Sequence, residues 1–271
     1  MYFTVTITSV AQIQAAKINM SNSGQSNRSI KTPHQPITDY YATEAERAGF
    51  VRELFDATSA DYDRIESLLA LGTGQWYRRQ ALKRAGLKPG MHVLDVGFGT
   101  GLVATEAIEI IGSPKLLTGL DPSLGMMQAS PLFKQTVLIE GKAEQIPFSD
   151  NSFDFLSMGY ALRHVSDLEQ VFGEFLRVLK PDGKLCMLEI TKPETPVGST
   201  LLKTYMRTVI PLLAKAFASQ RQTAELWKYY WDSIEACVPP ENIIQVLEYS
   251  GFTQIRRHRE LRIFSEYQAS K

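Results

Sequence analysis

Val93 to Gly101 reads VLDVGFGTG: a run of strand character ends in glycines at alternate positions, Gly97, Gly99 and Gly101, and the helical pattern LVATEAIEIIG follows at once. A strand that breaks into a glycine loop and opens a helix is the first half of a βαβ unit, whose crossover is right-handed. Strand-like runs recur at LLTGLD, TVLIEG, FDFLSMGY and GKLCMLEI, separated by helical patterning such as LEQVFGEFLRVL. This alternation predicts an α/β fold: a doubly wound, mostly parallel sheet with helices on both faces. The ligand crevice of such a sheet lies at the carboxyl ends of its strands.

The rest of the chain frames this core. Residues 21 to 39, SNSGQSNRSIKTPHQPITD, are polar and poor in large apolar groups, so 1–39 is expected to be disordered or loosely attached and the domain to occupy 40–271. Met20 precedes that polar segment, so either Met1 or Met20 can serve as the start. From 42 to 87 apolar residues recur at helical spacing, which predicts two or three helices broken at Gly72-Thr73-Gly74. The cofactor-type core spans 88–191. A mostly helical stretch over 192–240 reads as a lid insertion, and 241–271 as a last helix and strand pair.

Composition excludes several partner classes. The 29 basic and 29 acidic residues cancel, so no global charge draws the chain to nucleic acid. Two cysteines without Cys-x-x-Cys spacing argue against a disulfide framework or a zinc site and suit a reducing, cytoplasmic setting. The N-terminus lacks a secretory pattern, and no apolar run reaches spanning length.

The chemistry concentrates around the loop. A dinucleotide loop places its third glycine where this chain has Leu102, and Asp95 beside the loop would repel phosphate. A carboxylate there suits a ligand carrying an ammonium or a sulfonium. S-adenosylmethionine carries both and no phosphate. One strand later Gly119-Leu120-Asp121 ends in an acid suited to both ribose hydroxyls. Glu140-Gly141-Lys142-Ala143-Glu144 follows the next strand, within reach of an adenine edge. Each acid alone reads equally well as a loop residue or helix cap; the three in register around a glycine loop favour a nucleoside site.

In these stretches, and in AEQIPFSDNSFD, YALRHVSDLE and RVLKPDGKLCMLEITKP, the chain resembles the class I S-adenosylmethionine-dependent methyltransferases, and more narrowly the ubiquinone/menaquinone biosynthesis C-methyltransferase family. The resemblance covers roughly 55 to 252. It implies a Rossmann-like seven-stranded sheet, S-adenosylmethionine as cofactor and no metal. Carried onto matching positions, the cofactor contacts fall on Asp95, Gly97, Gly99, Thr100, Gly101, Asp121, Lys142, Ala143 and Gly159. Departures are visible: Lys142 replaces an Asp or Asn, and Gly159 a Ser. The family's opening signature, Tyr-Asp-x-Met-Asn and then Gly-x-His, reads Tyr62-Asp63-Arg64-Ile65-Glu66 and Gly72-Thr73-Gly74 here. Glu260, Leu261 and Arg262 stand in place of a Gly-rich strand.

Methyl transfer from a sulfonium is an in-line displacement, so the protein aligns the acceptor and, where needed, removes a proton. The resemblance assigns the second task to Arg163, working as a cation on a phenolate or on a water. His164, where the family has Asn, is expected to act as a general base titrating near neutral pH; the alternative is a helix cap or an exposed loop residue. Tyr62, Trp76 and Tyr77 either line an aromatic acceptor pocket or belong to the core. The segment from Tyr205 to Phe217 either shields that pocket or dips into a membrane surface. The basic run Arg256, Arg257, His258, Arg259 and Arg262 reads as a solvated strand edge. The expected activity is methylation of an aromatic, apolar small molecule, foremost C-methylation of a prenylated quinol. An O- or N-methyltransferase and a non-catalytic cofactor-binding scaffold stand as alternatives. A homodimer and peripheral membrane contact are compatible with all three.

Overall fold

The computed structural model describes residues 31–70, 73–218 and 222–271. Its centre is β1 (Val93–Val96), a four-residue strand buried at every position. Only a strand covered on both faces reads as a continuous apolar run. β2 (Leu117–Asp121) and β4 (Phe153–Gly159) flank it in parallel, so that Asp95 lies between Gly119 and Ser157. β3 (Val137–Glu140) pairs with β2, and β5 (Leu179–Ile190) with β4. A closing hairpin of β6 (Thr253–Glu260) and β7 (Phe264–Ser270) inserts β7 antiparallel against β5, giving the order β3-β2-β1-β4-β5-β7-β6. The chain thus passes to the other side of β1 after β3. The crevice of an open α/β sheet forms at that reversal.

Helices cover the sheet. α1 (Glu44–Ala70) and α2 (Thr73–Arg84) precede it; α3 (Leu102–Ile111), the short α4 (Leu124–Ala129) and α5 (Leu168–Val178) follow β1, β2 and β4. On one face Leu82 of α2, Ala104 and Ala107 of α3 and Phe155 of β4 are fully buried together. α1 crosses the carboxyl ends of the strands and is tied there. Asp56 accepts from Ser123 Oγ and, at 2.9 Å, from the Gly125 N–H, while Asp63 accepts from Thr100 Oγ1. Seven residues apart, two helical turns, these acids share one face.

After β5 come α6 (Pro196–Thr204), a π turn (Tyr205–Val209), α7 (Ile210–Phe217) and α8 (Thr223–Ala236), then α9 (Pro240–Tyr249) before the hairpin. The segment packs through Met206, Ile210 and Ala214 against Ile65 of α1 and Trp227, Tyr230 and Trp231 of α8. Its other face leaves Val197, Leu201, Tyr205, Val209 and Leu212 exposed. A π turn has more residues per turn than an α-helix, so Val209 and Leu212 stay in phase with the apolar residues before them. Among the described residues no helix is long and apolar enough to cross a membrane.

Three expectations need correction. Residues 31–39 are not loose: the Lys31 carbonyl accepts the Leu168 N–H at 2.6 Å and the Pro33 carbonyl the Val238 N–H at 2.7 Å. His34, 2% exposed, meets the Arg163 carbonyl through Nε2 at 2.9 Å. Backbone carbonyls of this polar segment, which any residue type would carry, supply acceptors for N–H groups at the start of α5 and beyond the end of α8. The remainder of the N-terminal segment, with the choice between Met1 and Met20, lies outside the described residues. Second, Thr73 and Gly74 form the first turn of α2 rather than a turn between helices, and Gly72 lies outside the described residues. Third, α4 has no counterpart in the sequence reading because its six residues are too few to show a period. Of the basic run, Arg256, Arg257, His258 and Arg259 lie on an edge strand, β6, with Arg256, His258 and Arg259 exposed, and Arg262 is exposed in the turn beyond it.

Gly101 caps α3 at φ 86°, and a Cβ on it would stand 2.8 Å from Phe98 Cζ and 2.9 Å from Ser130 Oγ. Gly101→Ala combines a left-handed backbone penalty with overpacking and is expected to destabilise the fold by about 2–4 kcal/mol, read as a lowered midpoint in urea.

Candidate functional site

A cavity of about 1130 Å³ opens at the carboxyl ends of the central strands. One half of its wall is local in sequence. Gly97, Gly99 and Thr100 come from the loop after β1, Asp121 from the end of β2, Lys142 and Ala143 from the loop after β3, and Gly159 from the end of β4. Gly97 has φ 69°, and a Cβ there would stand 2.5 Å from the Ala161 Cβ. The loop after β1 therefore packs directly on the loop after β4, leaving its backbone open to the cavity. A Cβ on Gly159 would stand 2.5 Å from Val103 Cγ2. The hydroxyl missing at that position is thus excluded by packing against α3.

Asp121 fixes the geometry of this half. One carboxylate oxygen accepts the Gly99 N–H at 2.7 Å and the other the Ser123 N–H at 2.8 Å. A carboxylate has about four lone-pair sites, so capacity remains toward the cavity for a vicinal diol. Burial pushes its carboxyl up to about 6 against the lowering effect of the two N–H bonds. Asp95 is displaced from its expected place. It is 1% exposed, does not line the cavity, and accepts from Ser157 Oγ at 2.6 Å behind the glycine loop. Burial, with the Asp121 charge adding to it, raises Asp95 to about 7. Asp95 therefore lies beneath the loop and does not itself form part of the cavity wall. Gly101 likewise turns the chain into α3 without reaching the cavity wall.

The other half is aromatic and assembled from distant segments. Tyr62, Trp76 and Tyr77 all line it. Tyr62 stacks on Trp227 at 5.9 Å, Tyr77 packs on Phe264 at 5.1 Å, and Trp76 is 61% exposed at the rim. The segment from Tyr205 contributes Tyr205 and Met206 and the hairpin Leu261, but the sequence reading missed Trp227 and Tyr230 of α8 and Phe264 of the hairpin. The aromatic spacing in WKYYW was the one available signal, and a buried helix carries the same pattern. Leu261 and Arg262 hold φ of 50° and 61°, strained for such side chains, and Leu261 projects at the mouth.

The two residues expected to act on the acceptor proton are placed otherwise. Arg163 is 1% exposed and absent from the cavity wall. Its Nη1 meets Glu189 at 2.7 Å, its Nε donates to Ser233 Oγ at 3.0 Å, and its guanidinium carbon lies 3.9 Å over the Tyr230 ring. A cation so engaged stabilises the wall behind Tyr230 and does not reach an acceptor. His164 does line the cavity, edge-on to Phe55, stacked on Tyr229 and 3.2 Å from its hydroxyl. It is neither a cap nor exposed. Burial, then the charges of Arg163, Arg47 and His34, hold its pKa well below the ordinary imidazole range. The shift is downward, away from the near-neutral range expected of it.

The ubiE/COQ5 methyltransferase family pattern matches residues 41–261. The chain is 30% identical over 235 residues to a ubiquinone/menaquinone biosynthesis C-methyltransferase, UbiE, of Shewanella piezotolerans, covering 84% of this chain and 92% of that protein. It is 31% identical over 214 residues to a demethylmenaquinone methyltransferase of Corynebacterium kroppenstedtii, covering 79% and 90%. The crystal structure of a SAM dependent methyltransferase from Aquifex aeolicus shares the fold with a TM-score of 0.55 at 20% identity, over 77% of this chain and 97% of that one.

Two measurements follow from the site. If the Asp121 carboxylate accepts ligand hydroxyls, S-adenosylmethionine affinity by calorimetry falls as pH drops through about 6, by up to ~10-fold per unit, and Asp121→Asn flattens that dependence. The stability contribution has the opposite sign. Because both folded carboxyls are raised, the folded chain holds protons that the unfolded chain has lost, so this contribution grows as pH falls from about 7 toward the ordinary carboxylate range. Separately, Arg163→Met leaves Glu189 buried and unpaired and is expected to cost about 3–5 kcal/mol in denaturant unfolding.

Proposed function

The chain belongs to the ubiE/COQ5 methyltransferase family and is an S-adenosylmethionine-dependent methyltransferase, and from that premise we propose that it C-methylates the ring of a prenylated quinol. The observation that carries the reading is the size and division of the cavity. At about 1130 Å³ it exceeds the roughly 300–1,000 Å³ typical of a single small-ligand site, and its aromatic half adjoins the glycine loop. There is room for a nucleoside cofactor and a flat apolar ring in one enclosure.

The residues present suit the cofactor. Gly97, Gly99 and Thr100 would hold its amino-acid end, Asp121 its ribose, and Lys142 and Ala143 its adenine edge, with the Lys142 contact made by backbone because that side chain is exposed. When bound, the sulfonium supplies an electrophilic methyl group. Tyr62, Tyr77 and Trp227 would clamp the acceptor ring by stacking and edge contacts, fixing which ring carbon faces that methyl and keeping water from the reacting faces. Arg163, through Tyr230, keeps this wall in place.

A lipid-like acceptor has to be delivered, and the exposed stripe from Val197 to Leu212 supports delivery from a bilayer surface. It is continuous with the cavity mouth through Tyr205 and Leu261. The segment from 196 to 217 has no acidic residue and carries Lys203, Arg207 and Lys215.

Purified chain with methyl-labelled S-adenosylmethionine and a panel of reduced demethylated prenyl quinols and simple phenols is expected to place label on a ring carbon of the quinol, read by mass spectrometry. Label on oxygen or nitrogen alone overturns the reading, as does cofactor binding without product. Vesicles of mixed neutral and anionic lipid should co-sediment the chain, and a double Leu201→Glu, Leu212→Glu variant should bind them at least ~10-fold more weakly while keeping turnover of a short-chain quinol. Loss of self-association instead of vesicle binding would assign the stripe to a second copy.

A further inference from the structure

The quinol reading calls for a group that ionises the acceptor, and Arg163 is absent from the cavity wall. Among the described residues two ion pairs have both partners on the cavity wall. Arg47, paired with Glu44, spends its Nη2 on the carbonyls of Arg163 and Val165. Glu66 and Arg78 meet at 2.8 Å, with side chains 18% and 2% exposed; the Nε of Arg78 is buried without a hydrogen-bond partner, as are Nε of Arg47 and Nη2 of Arg163, but of these three cations only Arg78 is paired across two helices at the cavity wall. An unpaired N–H on a buried guanidinium is a costly donor to leave unmet.

The pair stands where the two halves of the cavity join. Asp63, one turn before Glu66 on α1, is bonded to Thr100 of the glycine loop. Tyr62 and Tyr160, both on the cavity wall, are among the groups whose electrostatics act on Arg78. Gly74, one turn before Arg78 on α2, makes the space: a Cβ there would stand 3.0 Å from Glu66 Oε1 and 3.2 Å from Arg78 Nη1. Glu66 and Gly74 are two of the three positions, with Ile65, at which the chain differs from the opening signature that the resemblance implies. The structure brings them into contact, so the two departures form one local arrangement.

We propose that Glu66 and Arg78 are the ionising pair of the acceptor site, an inference that rests on the quinol reading. The acceptor O–H bond breaks, its proton passes to a Glu66 oxygen and its electron pair stays on the acceptor oxygen, which pairs with Arg78. Arg78 thereby exchanges a carboxylate partner for a phenolate, and this proton transfer leaves the net charge of the buried site unchanged. The activated ring carbon then bonds to the methyl as the carbon–sulfur bond breaks with its electrons to sulfur. The ring proton leaves to water, and Glu66 returns its proton to the oxygen.

The test has a readout independent of turnover. A nitrophenol ring bound to the chain without cofactor is expected to ionise about one pH unit or more below its free value, seen as the phenolate absorbance. Arg78→Met should return it to the free value. In turnover, Glu66→Gln is expected to lower kcat by about 10²- to 10³-fold with S-adenosylmethionine affinity unchanged, and a ring-fluorinated quinol that ionises readily should restore much of that loss in Glu66→Gln but not in Arg78→Met. Should the single variants not fold, the double Glu66→Gln, Arg78→Gln variant, which buries no lone charge, must show no phenolate shift. Unchanged kcat in Glu66→Gln with active wild type overturns the inference and spares the quinol reading. No ring methylation by wild type overturns the reading and the inference with it.

Discussion

Two carboxylates buried at the ends of adjacent parallel strands hold the site in shape. Asp121 takes backbone N–H groups from the glycine loop and from its own following turn, and Asp95 lies under the same loop on a serine hydroxyl. Neither acid has a cationic partner in these contacts, and burial raises both carboxyls above the ordinary carboxylate range. The loop is therefore fixed by hydrogen bonds rather than by charge pairing. Such an anchor orders the backbone without filling the space a nucleoside needs.

α1 extends that order to the acceptor side. Asp56 and Asp63 bind the two loops that Asp121 joins, and Tyr62 and Glu66 on the same helix form part of the opposite wall. A single long helix thus sets the separation between cofactor loop and acceptor ring. Behind it, Arg163, Glu189 and Ser233 join the loop after β4 to β5 and α8, and seat Tyr230 against α1. The buried cation does its work at one remove, through the ring it lies on.

The cofactor half was legible in the sequence because its parts are contiguous: a strand, its loop and the acid at the next strand end follow one another at fixed spacing. Local spacing did not reveal which way a side chain turns. Asp95 and Gly101 belong to the motif, yet face the core, and Arg163 in YALRHVSDLE faces Glu189, 26 residues on. The acceptor half was legible only in fragments, since Tyr62, Trp227 and Leu261 come together through packing that no short window contains. The parallel core, the hairpin and most helices followed from periodicity. The strap at 31–39 did not, because its backbone carbonyls carry the attachment and composition is blind to them.

That strap, with the order of the last strands, separates the unit of resemblance from the unit of folding. The family match begins at residue 41 and ends at 261. A chain cut to those limits would forfeit the carbonyls of Lys31 and Pro33 and the His34 ring at one end. At the other it would lose β7, the strand that lies between β5 and β6, leaving β6 with no neighbour and β5 with a raw edge. Shared ancestry marks out where the chemistry is written; the hydrogen-bond ladder decides how much polypeptide must be made for it to stand.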